Sequence, residues 1–431
     1  MKNRKDGLSF ANDVVWALMF DGLAIVAQLV TFLLLGRTLA AAGYGAYIGL
    51  FGITGPLSGL AWAGVGLAAL QQIVRDEKDP VEVAKRMLGQ GLGTGLAVLP
   101  IAIAIAALTV RSLTFTESLF IIISELLAVN VLMISSFVLQ GVQGVPAASR
   151  LRMMVVGTRL FTVLFLFSID ALTIQALGVM NTAIFALLTL WVLMVRLPKA
   201  GIRMWPGKPS REDTTLAMTF AFPMLGTNIQ LDGDKTVLNA YGMEAVAGVY
   251  GAAFRVINMA FTPIRALQAA AHNRLLANAT DSTGLQVQRA KTFALINLAA
   301  IIPICVILWF GVDLFEPLLG EDFESSARIA RWLLLFLPLK ALSSVPTTGL
   351  LGLGKTLTRA KIIIFSGVVS LVLYIVLIPP FSWGGAVAGT IIGEFLLLVL
   401  GTQRLLAWQR RADEELMEEA EHLESISSKG N

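Results

Sequence analysis

The sequence predicts an all-α polytopic membrane protein of about twelve transmembrane helices in two pseudo-symmetric six-helix lobes. Three observations carry this. Of 431 residues, 56% are hydrophobic and only 14% are charged, whereas a soluble domain is near a quarter charged. About twelve apolar runs are each long enough, at roughly twenty residues, to cross a bilayer. The runs also lack the two-residue alternation of barrel strands, which leaves helices as the spanning form.

The runs fall near 13–36, 44–70, 88–110, 117–140, 151–169, 172–196, 214–238, 243–270, 290–311, 328–350, 359–379 and 385–408. The basic N-terminus, MKNRKDG, precedes an apolar run too long for a signal-peptide core, so the first span is expected to be retained. Counted over alternate connections, roughly two dozen Lys and Arg lie on one side and only a few on the other, which assigns the basic side and both termini to the cytoplasm. The longest outward connection, around Asp313 to Glu324, is acidic. Cys305 is the single cysteine, which excludes an intramolecular disulfide and a cysteine-based metal site. With only His272 and His422 beside it, no metal centre is expected. Nothing points to a nucleic-acid partner; membrane lipids are the expected surroundings.

After the sixth run, LPKAGIRMWPGKPSRED interrupts the apolar pattern with three prolines and several basic residues. The chain therefore divides into an N-terminal lobe (1–200), a cytoplasmic linker (201–213), a C-terminal lobe (214–408) and a charged cytoplasmic tail (409–431). The halves echo each other. GYGAYIGLF at Gly43–Phe51 answers AGVYGAAF at Ala247–Phe254, and LQGVQGVPAASRL at Leu139–Leu151 answers LLGLGKTLTRAKI at Leu350–Ile362. Corresponding spans share an orientation, so the repeat is parallel, with the expected substrate path between the lobes, in a cleft bounded by spans one, two, seven and eight.

Charged residues inside spans are costly and mark candidate sites. Asn228, Asp232, Lys235 and Asn239 share one face of span seven, while Arg255, Asn258, Thr262 and Arg265 share a face of span eight. At 1.5 Å rise per residue, Arg255 lies on the order of 18 Å below the outer end of its span, near mid-membrane. Lys340 is similarly deep in span ten, and Arg159 somewhat shallower in span five. Arginine suits a phosphate because its planar fork stays ionised and bonds bidentately. Each basic residue also has a structural reading: Arg255 and Arg159 as ion-pair members, the latter with Glu125; Arg265 as a snorkelling side chain; Lys340 as interhelical glue with Ser344 and Thr347. Asp232, Asp234 and Lys235 read as a gate or structural pair. Asp21 in span one and Glu394 in span twelve are candidates for coupling to an H⁺ or Na⁺ gradient, with ion pairing as the alternative. The glycine-rich span two (Gly45, Gly49, Gly52, Gly55, Gly59, Gly64, Gly66) is expected to pack closely against a neighbour.

Three stretches carry a family resemblance. These are GRTLAAAGYGAYIGLFGI after span one; Asp234-Lys235 with Gly248-Val249-Tyr250 and Ala253-Phe254-Arg255; and Ile378-Pro379 followed by Trp383-Gly384-Gly385-Ala386-Val387-Ala388-Gly389. Together they resemble the O-antigen (Wzx-type) polysaccharide flippases of the multidrug/oligosaccharidyl-lipid/polysaccharide exporter superfamily. The resemblance implies a transporter, not an enzyme, without a cofactor. It would reside in the bacterial inner membrane and move an undecaprenyl-pyrophosphate-linked oligosaccharide to the outer leaflet by alternating access, for cell-surface polysaccharide (O-antigen, lipopolysaccharide) biosynthesis, with the polysaccharide polymerase machinery as a partner. By it, Arg255, Arg265, Lys340, Arg159, Asn258 and Thr262 are expected around the substrate. A cation-coupled multidrug antiporter of the same superfamily would want an acid-dominated cavity, and a lipid II flippase two further spans. A membrane polymerase or glycosyltransferase would want a sizeable outward loop or an acidic metal motif.

Overall fold

A computed structural model describes residues 2–203, 205–265 and 283–429. Among these residues the chain is helical throughout, with no strand. The helices are α1 (Lys2–Ser58), α2 (Gly64–Val74), α3 (Pro80–Thr109), α4 (Phe115–Ile123), α5 (Val129–Gln143), α6 (Val145–Ser168), α7 (Ile174–Trp191), α8 (Arg211–Ala240), α9 (Glu244–Ala260), α10 (Thr283–Gly311), α11 (Phe315–Leu319), α12 (Ser326–Leu333), α13 (Phe336–Gly352), α14 (Thr356–Phe381) and α15 (Trp383–Lys429). Short π-helical turns join α1 to α2 (Gly59–Ala63) and α4 to α5 (Ser124–Ala128), and a third (Val192–Arg196) extends α7. The connection expected at 271–291 and the end of the eighth run lie largely outside the described residues.

Local chemistry sets the boundaries. Asp79 accepts from the Val81 and Glu82 amides and Pro80 opens α3, a pairing that satisfies orphan donors where no intrahelical bond exists. Thr114 with Glu117 closes a capping box on α4, and Ser210 with Asp213 does the same on α8. Gly144, at φ 86°, separates α5 from α6. α1 itself breaks at Ala40, whose φ of 55° and ψ of 175° lie in a region that residues with a Cβ rarely occupy.

That break bears on the span count. Among the described residues, eight helices are long and apolar enough to cross a membrane, or nine if the bent pair Glu321–Leu333 and Phe336–Gly352 is one span. Length and composition thus do not reach twelve. Gly22–Val74 scores as one stretch although it holds the first two expected spans on either side of Ala40. Neither α8, with Asp232, Asp234 and Lys235 in its length, nor the 17-residue α9 qualifies. The molecule is a multi-pass membrane protein.

The centre of the bundle is a seam. The glycine-rich stretch after Ala40 lies along α8 and α9. A Cβ at Gly45 would overlap the Glu244 carbonyl oxygen, and one at Gly248 would overlap that of Ala41. The closeness lets α8 donate to backbone carbonyls across the seam: Asn228 Nδ2 to Gly55 at 2.8 Å, Thr236 Oγ1 to Gly49 at 3.1 Å and Asn239 Nδ2 to Gly45 at 3.0 Å. Where spans two, seven and eight meet, Asn228 and Asn239 of the span-seven stripe bond to backbone, while Asp232 keeps 37% of its side chain exposed. Buried apolar side chains cluster on either side, two clusters mainly from residues before 218 and three from residues after 236.

At the basic end of the bundle, Asp213 joins α8 to α2 and α3. Gln72 Nε2 donates to it at 2.9 Å and Arg86 Nε lies 2.9 Å away. Gly207 N donates to the Lys85 carbonyl at 2.9 Å. Burial opposes ionisation of Asp213, but the Ser210 backbone N–H, Gln72, the Ser210 hydroxyl and Arg86 outweigh it and hold the carboxyl below the usual carboxylate range.

Two outcomes follow. Gly45→Val should destabilise the purified protein by about 1–3 kcal/mol through overpacking at the seam, read as a lowered melting temperature by intrinsic fluorescence. Because its folded pKa is depressed, Asp213 contributes stability that is present above the unfolded value near 3.9 and lost as pH falls through the folded value. Asp213→Ala should therefore lower Tm at neutral pH, and the gap to wild type should narrow on titration into that acid range.

Candidate functional site

A cavity of about 400 Å³ opens in the N-terminal half, between α1, α2's preceding turn, α5 and α6. Its walls are set by helix phase. α6 contributes Arg152 and Arg159, seven residues and two turns apart on one face. The two arms of α1 contribute Phe20 and Gln28, then Phe51, Thr54 and Ser58. Trp62 comes from one π turn and Glu125 from another. Such turns insert an extra residue and re-aim the side chains around it, and they recur at functional sites.

Arg159 and Glu125 form the charged centre. Arg159 Nη2 donates to Glu125 Oε1 at 2.7 Å and to Oε2 at 2.6 Å. The guanidinium also lies 5.5 Å from the Phe51 ring centroid and 5.8 Å from that of Phe185. Its Nε is buried without a hydrogen-bond partner. Both carboxylate oxygens thus fall on one terminal nitrogen, while 29% of the Arg159 side chain stays exposed at the cavity wall.

The other expected residues lie elsewhere. Arg255, half-buried on α9, faces the Phe32 ring at 5.8 Å and neighbours Tyr44. No described carboxylate pairs with it within 4.0 Å. Arg265 is exposed and folds back onto Asn258, donating to its carbonyl at 2.7 Å and its Oδ1 at 3.2 Å. Thr262 is half-buried beside it. Lys340 on α13 lies 3.2 Å from the fully buried Glu394 on α15, and Ser343 donates to the same carboxylate. The side chain of Asp21 lies outside the described ones.

Asp232, Asp234 and Lys235 are packed together. Lys235 Nζ lies 3.1 Å from Asp232 and 3.2 Å from Asp234, over the Phe254 ring at 4.2 Å. Tyr250 donates to Asp234 at 2.5 Å. Thr390 Oγ1 lies 3.3 Å from the Tyr250 hydroxyl and 3.0 Å from that of Tyr374, which itself donates to the Gln230 carbonyl at 2.7 Å. This network ties α8 to α9, α14 and α15.

At the opposite end from Asp213, Arg37 Nε donates to the Leu318 carbonyl at 2.6 Å. Tyr44 meets Phe32 tilted, with centroids 5.6 Å apart, and Phe323 edge to face at 6.2 Å.

The profile of the polysaccharide biosynthesis proteins matches residues 10–266, more than half of the chain. The chain belongs to that family. No curated protein matches it. Its fold is that of the MOP-superfamily transporters. An inward-facing multidrug-resistance MATE family transporter shares 16% identity over 90% of this chain and 96% of that one, with a TM-score of 0.67. A MATE in complex with MaL6 gives 17% over 92% and 96%, at 0.64. A MOP-superfamily transporter from Pyrococcus furiosus, whose binding pocket is described as of reverse polarity, gives 16% over 92% and 94%, at 0.61.

In this polysaccharide biosynthesis protein only Arg159 of the expected substrate residues lines the cavity. Sequence reasoning passed over Arg152, Trp62 and Phe51. The seven-residue step from Arg152 to Arg159 was the available signal; Arg152 sits close enough to the basic end to read as a connection charge. The Lys340–Glu394 pair makes a checkable case for a structural role. Glu394→Gln strips a buried lysine of its partner and should cost about 3–5 kcal/mol, whereas a Lys340→Met, Glu394→Leu double variant should recover most of it. Thermal unfolding of the three proteins in one detergent decides this.

Proposed function

We propose that this chain moves an undecaprenyl-pyrophosphate-linked oligosaccharide from the inner to the outer leaflet of the bacterial inner membrane by alternating access, with both termini in the cytoplasm. The observation that carries the reading is the membrane-depth cavity with Arg159 and Arg152 in one wall and Phe20, Phe51 and Trp62 in the others. A pyrophosphate is recognised by guanidinium groups, whose charge persists at any physiological pH. The aromatic faces suit the apolar faces of sugar rings. A volume of about 400 Å³ takes a head group and leaves the polyprenyl tail in lipid.

The Arg37 contact and the aromatic rings beside it fit a state closed to the outside. In this reading Arg255, behind Tyr44 at that end, is the second anion position, reached once Arg37 releases Leu318 and the aromatic stack parts. Family membership supports a lipid-linked saccharide as substrate. An antiporter for cationic drugs would meet two arginines in this cavity, so that reading is not carried further.

The test is flipping of a defined lipid-linked oligosaccharide by purified protein in liposomes. Arg159→Gln should lose roughly ten- to a hundredfold in apparent affinity, the worth of one charge-assisted bond of about 1.5–3 kcal/mol. Arg159→Lys should recover only part of it, since charge returns without the fork. Arg255→Gln should slow turnover more than it weakens capture from the inside. Normal transport by a stable Arg159→Gln protein, or export of a cationic dye, would refute the reading.

A further inference from the structure

Glu125 has no place in simple anion binding, yet it occupies the cavity's strongest cation. Both its oxygens lie on Arg159 Nη2, and its side chain is 13% exposed. The turn that carries it is π-helical, between α4 and α5. Among the described residues, the charged or titratable groups facing it are Arg159 and Arg152 of α6 and Tyr47 of α1, with Arg255 beyond Tyr47. Asp21, lower on α1, lies outside the described side chains.

An anion in the cavity meets Arg159, which lines the wall with 29% of its side chain exposed. It then shares one guanidinium with a carboxylate, at membrane depth. Two anions at such range do not both stay ionised in a poorly solvated site. A pyrophosphate substituted at both ends is a strong acid on each phosphate and carries no proton to give or take near neutrality. The carboxylate is the group that can change state.

We propose that Glu125 is an internal stand-in for the substrate anion, and that anion binding at Arg159 is coupled to uptake of one proton by Glu125. In the empty cavity Glu125 neutralises and orients Arg159. When the anion arrives, a proton from cavity water bonds to a Glu125 oxygen, the carboxylate releases the guanidinium, and the new O–H donates to a phosphate oxygen. One proton enters with each pyrophosphate dianion, so the site gains one net negative charge, with Arg152 as the second cation in the cavity wall. This rests on the cavity being the anion site.

The experiment is titration calorimetry of nanodisc-embedded protein with a short-chain prenyl-pyrophosphoryl sugar, in buffers of different ionisation enthalpy between about pH 6 and about pH 8. Wild type should take up about one proton per ligand, and its affinity should fall about tenfold per pH unit on the alkaline side. Glu125→Gln should bind without proton uptake, with a flat pH profile and more tightly than wild type at the alkaline end. Asp21→Asn should keep the wild-type proton count. Arg159→Gln should lose binding. If wild type binds through Arg159 but takes up no proton, the exchange is wrong while the anion site stands. If uptake survives in Glu125→Gln and vanishes in Asp21→Asn, the proton belongs to Asp21 and the proposal falls. If Arg159→Gln binds like wild type, the cavity is not the anion site and both readings fall. The wild-type proton count needs no variant to fold.

Discussion

The close approach of the glycine-rich second span to α8 and α9 is the constraint on which the rest of the bundle depends. At Gly45 and Gly248 backbone sits against backbone. That proximity brings the carbonyls of Gly45, Gly49 and Gly55 within reach of Asn239, Thr236 and Asn228. A membrane interior offers no hydrophobic gain for helix association, so packing of small residues and interhelical hydrogen bonds must supply it. The seam uses both. It also fixes how the N-terminal helices stand against α8, and hence where space remains. Space remains on the far side of α1, toward α5 and α6.

Three charge pairs in the bundle follow one rule. Lys235 sits between two aspartates, Lys340 against Glu394, Arg159 against Glu125. Each pairing avoids the cost of a lone ion at membrane depth. The pairs differ in their surroundings. The Lys235 and Lys340 pairs are enclosed by tyrosine, serine and threonine partners on packed helices. The Arg159 pair lines a cavity.

The two ends of the molecule are tied by different chemistry. At the basic end a buried carboxylate gathers Gln72, Arg86 and the linker. At the other, an arginine grips helix-end carbonyls beside an aromatic stack.

Much of this was legible in the chain. Hydropathy gave a multi-pass helical membrane protein, and caps such as Asp79, Thr114 and Ser210 stand where the helices begin. Periodicity correctly placed Asn228 with Asn239 on one face, and Glu125 was recognisable as a partner for Arg159. What periodicity does not contain is the neighbour that a face meets. The same stripe of polar residues faces water if the next helix carries bulk and faces backbone if it carries glycine. Spacing is therefore local information, whereas the location of the cavity depends on the packing of α1, α5 and α6 around a seam formed some seventy residues later in the chain. Arg255 was the prominent charge by depth and motif, but Phe32 and Tyr44 cover it. Arg152 was not singled out by the sequence; α6 turns it into the same space as Arg159. Sequence determined which groups must be satisfied inside the membrane; tertiary packing decided which are satisfied by the protein itself and which are left to a ligand.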